Sequence, residues 1–313
     1  MSPSPSAADS SDAIQRVSDA VTVSGYKLGA LMAQLTPAGI GQGTAAMVGA
    51  TMAQTMRSKR SMVERHQRRV NPKLGPLALN RKVQQAFESY ARYYVESFRL
   101  PGMSIDAVRR GMKAQGVDEY LVPAMEKGTG AILAMPHLGG WEWAGRWFIE
   151  RGYPMSVVVE PLANREVFEW FVDLRRKLGM NVIPLGPDAA LECSKALKAG
   201  HVLCLLCDRD LAGGGIEVDF FGERTTLPAG PAMLGLRSGA PILPTAVYYT
   251  DRTTGHLGLV MRPVDATRTG RLREDVNRVT QLLATDLEYL IRRAPEQWHL
   301  FQPNWPSDPG YGL

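Results

Sequence analysis

Short, almost continuous apolar runs recur through the middle of the chain, at 131–135, 155–159, 181–185 and 202–207. Between them, at about 141–151, 164–178 and 188–199, apolar residues recur at helical spacing instead. The second of these helices is well delimited. Asn164 can cap its start, Val167, Phe168, Phe171, Leu174 and Leu178 face inward, and Gly179 stops it. Strands that are apolar at nearly every position are covered on both faces, and regular alternation with helices makes them parallel neighbours. A helix near 228–239, strands at 242–249 and 256–262, and a long helix at 271–293 complete the pattern. The expected fold is α/β, with a mostly parallel central sheet flanked by helices.

Upstream the pattern changes. Residues 80–99 form an amphipathic helix in which Val83, Phe87, Tyr90, Tyr94 and Phe98 share a stripe, ended by Pro101. From Leu28 to Met56 there is no charge, yet Gln34, Thr36, Pro37, Gly39, Gln42 and Thr44 make the stretch too polar and broken for a membrane span. Two helices hinged near 37–43 fit it better. A basic run follows, Arg57, Lys59, Arg60, Arg65, Arg68, Arg69 and Lys73, opposed only by Glu64. Beside an uncharged helix, such a run suits anionic headgroups, and its plainer reading is a solvated helix face. The chain thus divides into a disordered Ser/Pro/Ala tail at 1–16, a helical, basic, membrane-associating segment at 17–75, and an α/β domain at 76–313. Residues 1–13 have no basic start and no apolar core of a secretory signal, so a peripheral position on the cytoplasmic face of the membrane is expected.

Composition narrows the classes. At 313 residues and 45% hydrophobic, the chain can bury a sizeable core, and its net charge of +5 favours anionic partners. Nucleic acid ranks last among these, because no zinc pattern, RNA-binding signature or aromatic stacking motif accompanies the charge. Cys193, Cys204 and Cys207 are too few and too apolar in setting for a disulfide framework, and the odd offset of Cys204 and Cys207 along a strand points their thiols to opposite faces.

The chemistry concentrates where the first strand ends. Pro136 breaks the strand, His137 follows, Gly139 and Gly140 make a turn, and a helix opens near Trp141 with Glu142 in its first turn. In one unbroken helix His137 and Glu142 would stand roughly 140° apart and could not meet, so the glycine turn is needed to bring them together. An imidazole facing a carboxylate is a general-base arrangement; the plainer reading is a surface histidine at a βα turn. Ligands of open parallel sheets bind outside the carboxyl ends of the strands, and three strands here end in ionisable groups: His137, then Glu160, then Asp208-Arg209-Asp210. His201 precedes its strand and belongs to the opposite edge, while His66 and His256 have no evident partners. No nucleotide-binding glycine pattern, Walker motif or serine elbow is present, and the ligands for a zinc site are too few. No metal and no permanently bound cofactor is expected. A histidine base with several carboxylates and no protein nucleophile suits direct attack by a substrate hydroxyl on an activated acyl donor.

His-Leu-Gly-Gly-Trp-Glu142 matches the H-x-x-x-x-D/E motif of the glycerolipid acyltransferase superfamily, whose fold is the glycerol-3-phosphate acyltransferase-like α/β sheet. The surrounding chain resembles the branch of lipid A acyltransferases and, more closely, phosphatidylinositol mannoside acyltransferases. The likeness runs from about 87 to 305 and includes Ser89-Tyr-Ala-Arg-Tyr-Tyr94, Phe98-Arg-Leu-Pro101, Arg209-Asp-Leu211, Val218-Asp-Phe-Phe-Gly-Glu223, Pro228-Ala-Gly-Pro-Ala232 and Trp298-His-Leu-Phe-Gln-Pro-Asn-Trp305. It implies a membrane-associated enzyme that moves a fatty acyl group from acyl-CoA, or acyl carrier protein, to a hydroxyl of a lipid-linked sugar or glycerolipid acceptor. His137 then matches the family's base and Glu142 the motif's acid. Glu160, Arg175 and Asp208 fall where the mannoside enzymes carry functional Glu, Arg and Glu. That branch has His-Ser-Gly-Asn-Trp-Asp where this chain has His-Leu-Gly-Gly-Trp-Glu. Asp208 ends a neighbouring strand and is expected to partner His137 from the side, leaving Glu142 to a positioning role, held by the helix start or by an arginine. Backbone N–H groups at Gly139–Trp141 are the expected oxyanion donors; Glu160, Arg175, Arg209 and Asp210 are expected at the substrate, with Arg175 and Arg209 pairing acids or meeting CoA phosphates. The alternatives are a lipid A-type or lysophospholipid acyltransferase, a hydrolase on the same site, and a non-enzymatic lipid-binding protein.

Overall fold

The computed structural model describes residues 38–161, 164–210, 213–250 and 254–312. The apolar runs assemble side by side. Strands β2 (Ala131–Met135), β3 (Met155–Val159), β4 (Asn181–Pro184), β5 (Val202–Leu206) and β8 (Ile242–Tyr249) lie parallel, in the spatial order β8-β2-β5-β3-β4. β9 (His256–Val260) joins β8 antiparallel, and β1 (Met112–Gln115) closes that edge alongside β9. The sheet is therefore mostly parallel, as its apolar strands require. The sequence pattern does not show β1, a short edge strand reading Met-Lys-Ala-Gln. Nor does it show the hairpin of β6 (Ile216–Phe220) and β7 (Glu223–Leu227), whose turn residues Phe221 and Gly222 both take positive φ, 52° and 77°. A two-residue turn with two positive φ angles matches the strand twist, but Phe-Gly is not a usual sequence for it.

Two apolar layers sandwich the sheet. On one face Ile132, Ala134, Leu203 and Leu205 meet α8 (Ala189–Lys198), α9 (Gly230–Ser238) and α10 (Leu272–Arg293). On the other, Ala131, Leu133 and Met135 meet α6 (Trp141–Ile149) and residues around α4 (Ile105–Arg110) and α5 (Val122–Glu126). This division follows from the alternation of side chains along a strand. The two strand cysteines obey it, with Cys207 packing in the first layer and Cys204 against the second.

The chain enters through α1 (Ala38–Thr55), α2 (Arg57–Val70) and α3 (Pro76–Arg99). α1 runs unbroken through Gly39–Gly43, where a hinge was expected; residues 1–37, including the tail and the first part of the expected membrane segment, lie outside the described residues. Gly49 lets α1 cross α3 closely, since a Cβ there would stand 2.5 Å from the Glu88 Cα. Ala53, Val63, Val83 and Phe87 then form one cluster with Phe301. Among the described residues no helix is long and apolar enough to cross a membrane.

The basic run divides in two. Arg65 and Arg69 both bind the fully buried Asp308 carboxylate, Arg69 also pairs with Glu223 and lies over Trp305, and Arg60 binds Asn80 and Glu64. Arg57, Arg68 and Lys73 are exposed, so the whole run is not the single solvent-facing surface its sequence suggests. Two histidines also gain partners the sequence did not reveal. His66 contacts the Leu300 carbonyl through Nδ1 at 3.0 Å and Asp308 through Nε2 at 3.3 Å. His256 bonds Glu96 through Nε2 at 2.8 Å and stacks on Trp143. Their partners are 242 and 160 residues away in the chain, so only the tertiary fold could bring them together.

Candidate active site

β2 and β5 are adjacent and in parallel register, with Met135 opposite Leu206. The residues two positions beyond each end, His137 and Asp208, therefore emerge at the same level. The Asp208 Oδ1 lies 2.5 Å from the His137 Nδ1, and Oδ2 accepts the His137 backbone N–H at 3.0 Å. The same Oδ2 accepts the Trp298 indole N–H at 2.7 Å, and the Asp208 backbone carbonyl accepts the Asn304 amide at 3.1 Å. Burial would raise the Asp208 carboxyl, but His137 and Trp298 together hold it below the ordinary carboxylate range. An ionised carboxylate only accepts, so Nδ1 presents its N–H to Asp208 and Nε2 is the ring nitrogen outside that pair.

The turn after His137 is built around its two glycines. Gly139 has φ 64°, and a Cβ there would stand 1.8 Å from the Val247 carbonyl oxygen. A Cβ on Gly140 would meet the His256 ring at 2.7 Å. Their N–H groups are already engaged, Gly139 with the Gln297 carbonyl at 3.0 Å and Gly140 with the Val247 carbonyl at 3.2 Å. The expectation that Gly139 and Gly140 donate to an oxyanion is therefore corrected: they shape the turn, and their N–H groups dock it on Gln297 and on Val247 of β8.

Glu142 does not touch His137 in any hydrogen bond. It is buried in the first turn of α6, where its Oε1 accepts the Arg175 Nε at 2.9 Å, Nη2 at 2.5 Å, and the Tyr93 hydroxyl at 3.1 Å. Burial alone would lower the Arg175 guanidinium, yet Glu142 more than offsets it; Tyr93 is pushed well up by burial and then by Glu142. α7 (Arg165–Lys177) supplies Arg175, and Asn164 caps it through its side chain as the sequence suggests. At the outer end Glu160 and Arg209 pair at 2.5 Å. Asp210 is turned away: its Oδ2 accepts the Gly215 N–H at 2.8 Å and the Thr226 hydroxyl at 3.0 Å, tying the β6–β7 hairpin.

Between the sheet and α3, α6 and α7 runs a cavity of about 250 Å³. One end holds His137, Glu160 and Arg209, with Glu142 and Arg175 on its wall. Its floor is one face of three adjacent strands: Leu133 and Met135 of β2, Cys204 and Leu206 of β5, Met155, Val157 and Val159 of β3. A strand rises about 3.3 Å per residue, so β3 alone carries this apolar floor for roughly 13 Å beneath the helices. Burial raises the Cys204 thiol to about 12, so it stays protonated in the cavity floor and is no nucleophile. Among the described residues no group of three His, Cys, Asp or Glu side chains is placed to hold a metal ion.

Three cavity or dyad neighbours lie in the motifs quoted for the resemblance but were assigned no role from the sequence: Trp298, Tyr93 and His299. His299 lines the cavity, bonds Ser89 through Nε2 at 2.8 Å and gives its backbone N–H to the His137 carbonyl at 2.7 Å. Burial, and then charge on His137, push it down to about 3, so its imidazole is neutral. Their sequence signal was their place in the motifs at 89–94 and 298–305.

The family model for bacterial lipid A biosynthesis acyltransferases matches residues 21–307, nearly the whole chain. The chain belongs to this acyltransferase family. Among curated proteins it is 38% identical over 228 residues to a phosphatidylinositol mannoside acyltransferase of Mycobacterium tuberculosis (strain CDC 1551 / Oshkosh), covering 71% of this chain and 70% of that protein. It is 36% identical over 230 residues to the phosphatidylinositol mannoside acyltransferase of Mycolicibacterium smegmatis (strain ATCC 700084 / mc(2)155), covering 72% and 73%. The acyltransferase assignment thus meets a site with a His–Asp pair at the mouth of an apolar channel.

Proposed function

We propose that this acyltransferase moves a fatty acyl group from acyl-CoA to a hydroxyl of a membrane glycolipid, a phosphatidylinositol mannoside, by general-base catalysis at His137. The observation that carries the reading is the joint between the His137–Asp208 pair and the cavity laid along β2, β5 and β3. The apolar floor takes the acyl chain and leaves the thioester carbonyl at the histidine. His137 Nε2 accepts the acceptor's hydroxyl proton while the oxygen attacks the thioester carbon. The tetrahedral intermediate collapses with loss of the CoA thiolate, which takes the proton back from His137. Asp208 fixes the ring tautomer and stabilises the transient imidazolium. With Gly139 and Gly140 engaged elsewhere, the Trp141 N–H at the start of α6 takes the oxyanion role in this reading. The Glu142–Arg175–Tyr93 cluster sets the cavity wall, and Arg209 with Glu160 meets the polar part of donor or acceptor.

The relatives' names supply the acceptor class, and the molecule's outer face supplies a way to reach it. Met47, Val48, Met56 and Leu77 are exposed apolar side chains of the same N-terminal stretch that carries the exposed Arg57, Arg68 and Lys73. These side chains support, in this reading, peripheral binding to an anionic, cytoplasmic membrane face. Mass spectrometry of lipids carried by the purified protein tests the assignment. A fatty acyl species or acyl-CoA together with a phosphatidylinositol mannoside supports it. A lipid A precursor or a lysophospholipid in the acceptor's place would reassign the acceptor.

A further inference from the structure

We propose that Met180, seated against Gly145, closes the inner end of the cavity and sets the length of acyl chain the enzyme accepts. The inference rests on the reading of the cavity as an acyl site. The cavity holds His137, Glu160 and Arg209 at its outer end and Glu142 and Arg175 on its wall. Its inner end is walled by Phe148 of α6, Met155 at the start of β3 and Met180 just before β4, all nearly fully buried. Gly145 of α6 makes room for this wall. A Cβ built on it would stand 2.3 Å from the Met180 Cε, 3.3 Å from the Met180 Sδ and 3.4 Å from the Met155 Sδ. The Met180 methyl therefore occupies the space a larger residue at position 145 would take.

An end wall made of the far ends of unbranched side chains can be moved without moving the backbone. Met180→Ala removes the thioether and adds its volume to the channel. Gly145 has no left-handed φ that would bar a side chain. Its new methyl in Gly145→Ala can be housed by displacing the Met180 tip toward the open side, which is the cavity. The two changes therefore alter the channel in opposite directions. A general loss of packing would lower activity with every chain and leave their order unchanged.

The test is acyl transfer to phosphatidylinositol mannoside from a ladder of straight-chain saturated acyl-CoA thioesters, each two carbons longer than the last. It is run with the full-length wild type, Met180→Ala and Gly145→Ala. Met180→Ala is expected to move the optimum to a longer chain. The ratio of kcat/KM for the next longer thioester to that for the wild-type optimum should rise about tenfold or more, the scale of discrimination per methylene in an apolar pocket. Gly145→Ala is expected to move the optimum to a shorter chain. An unchanged order of preference in either folded variant overturns the proposal while leaving the acyl site itself standing. If Met180→Ala does not fold, Gly145→Ala alone decides. Failure of the wild type to transfer from any thioester of the ladder would overturn the acyl-site reading, and this inference with it.

Discussion

Asp208 grips His137 twice, with one carboxylate oxygen 2.5 Å from the ring Nδ1 and the other 3.0 Å from the same residue's backbone N–H. A side chain held at both its ring and its backbone has little freedom to rotate, so tautomer and aim are set together. Asp208→Asn replaces an obligate acceptor with a group that can donate to Nδ1 and favour the wrong tautomer. Turnover should fall by about 10³- to 10⁴-fold. The shape of the pH–rate profile should change with it, while the far-ultraviolet circular dichroism stays the same. A folded Asp208→Asn enzyme with an unaltered profile would remove Asp208 from the mechanism.

Glu142 has a different task. Its carboxylate is shared by Arg175 and Tyr93, all inside the cavity wall. Glu142→Gln leaves the Arg175 charge buried without its counter-ion, a change of about 3–5 kcal/mol in comparable buried pairs. The expected result is a clear drop in Tm and a raised KM, with the acid limb of the pH–rate profile unmoved. A shifted acid limb with normal stability would make Glu142 the proton-handling acid instead.

The fold and the site were legible in the sequence to different depths. β2, β3, β5 and β8 are visible because a strand buried on both faces is apolar at almost every position. His137, Glu160 and Asp208 are visible because parallel strands deliver their carboxyl ends to one edge. The strap at 298–308 is not visible in the same way. Trp298, Asn304 and Asp308 act on groups 90 or more residues away, so the motif at 298–305 marks the segment without showing what its side chains bind. The same distance misleads about the basic run, since Arg65 and Arg69 look solvent-bound until Asp308 comes to meet them. The hairpin at β6–β7 hides because its strands alternate with charges and its turn uses Phe221 at positive φ.

His299 makes stability depend on acid. Its ordinary value near 6.5 is pushed down to about 3 in the fold, by burial first and then by His137. The unfolded chain thus takes up a proton that the folded chain refuses, and stability falls as pH drops from about 6.5 toward 3. Asp208, held below its usual range, contributes stability that is present above the unfolded carboxylate value and lost only further into acid. Tm measured across this range should decline, and His299→Gln should flatten the slope above pH 4 or so, where the carboxylates do not yet titrate. An equal slope in the variant would contradict a neutral, buried His299.

The divided basic run predicts two separable effects. Removing the charges of the exposed Arg57, Arg68 and Lys73 together should weaken co-sedimentation with anionic vesicles by about 1 kcal/mol per residue at low salt, without changing Tm. Removing Arg69, which binds Asp308 and Glu223 and covers Trp305, should lower Tm. Equal binding of the triple variant and wild type to anionic vesicles would sever the run from membrane contact.

The most direct measurement is transfer of a labelled fatty acyl group from acyl-CoA to phosphatidylinositol mannoside in vesicles, comparing wild type with His137→Ala. The wild type should produce labelled acyl glycolipid, and the folded variant should lose about 10²- to 10⁴-fold of that rate, the usual contribution of a positioned base. A folded His137→Ala protein that keeps more than half of the wild-type rate would contradict general-base catalysis at His137.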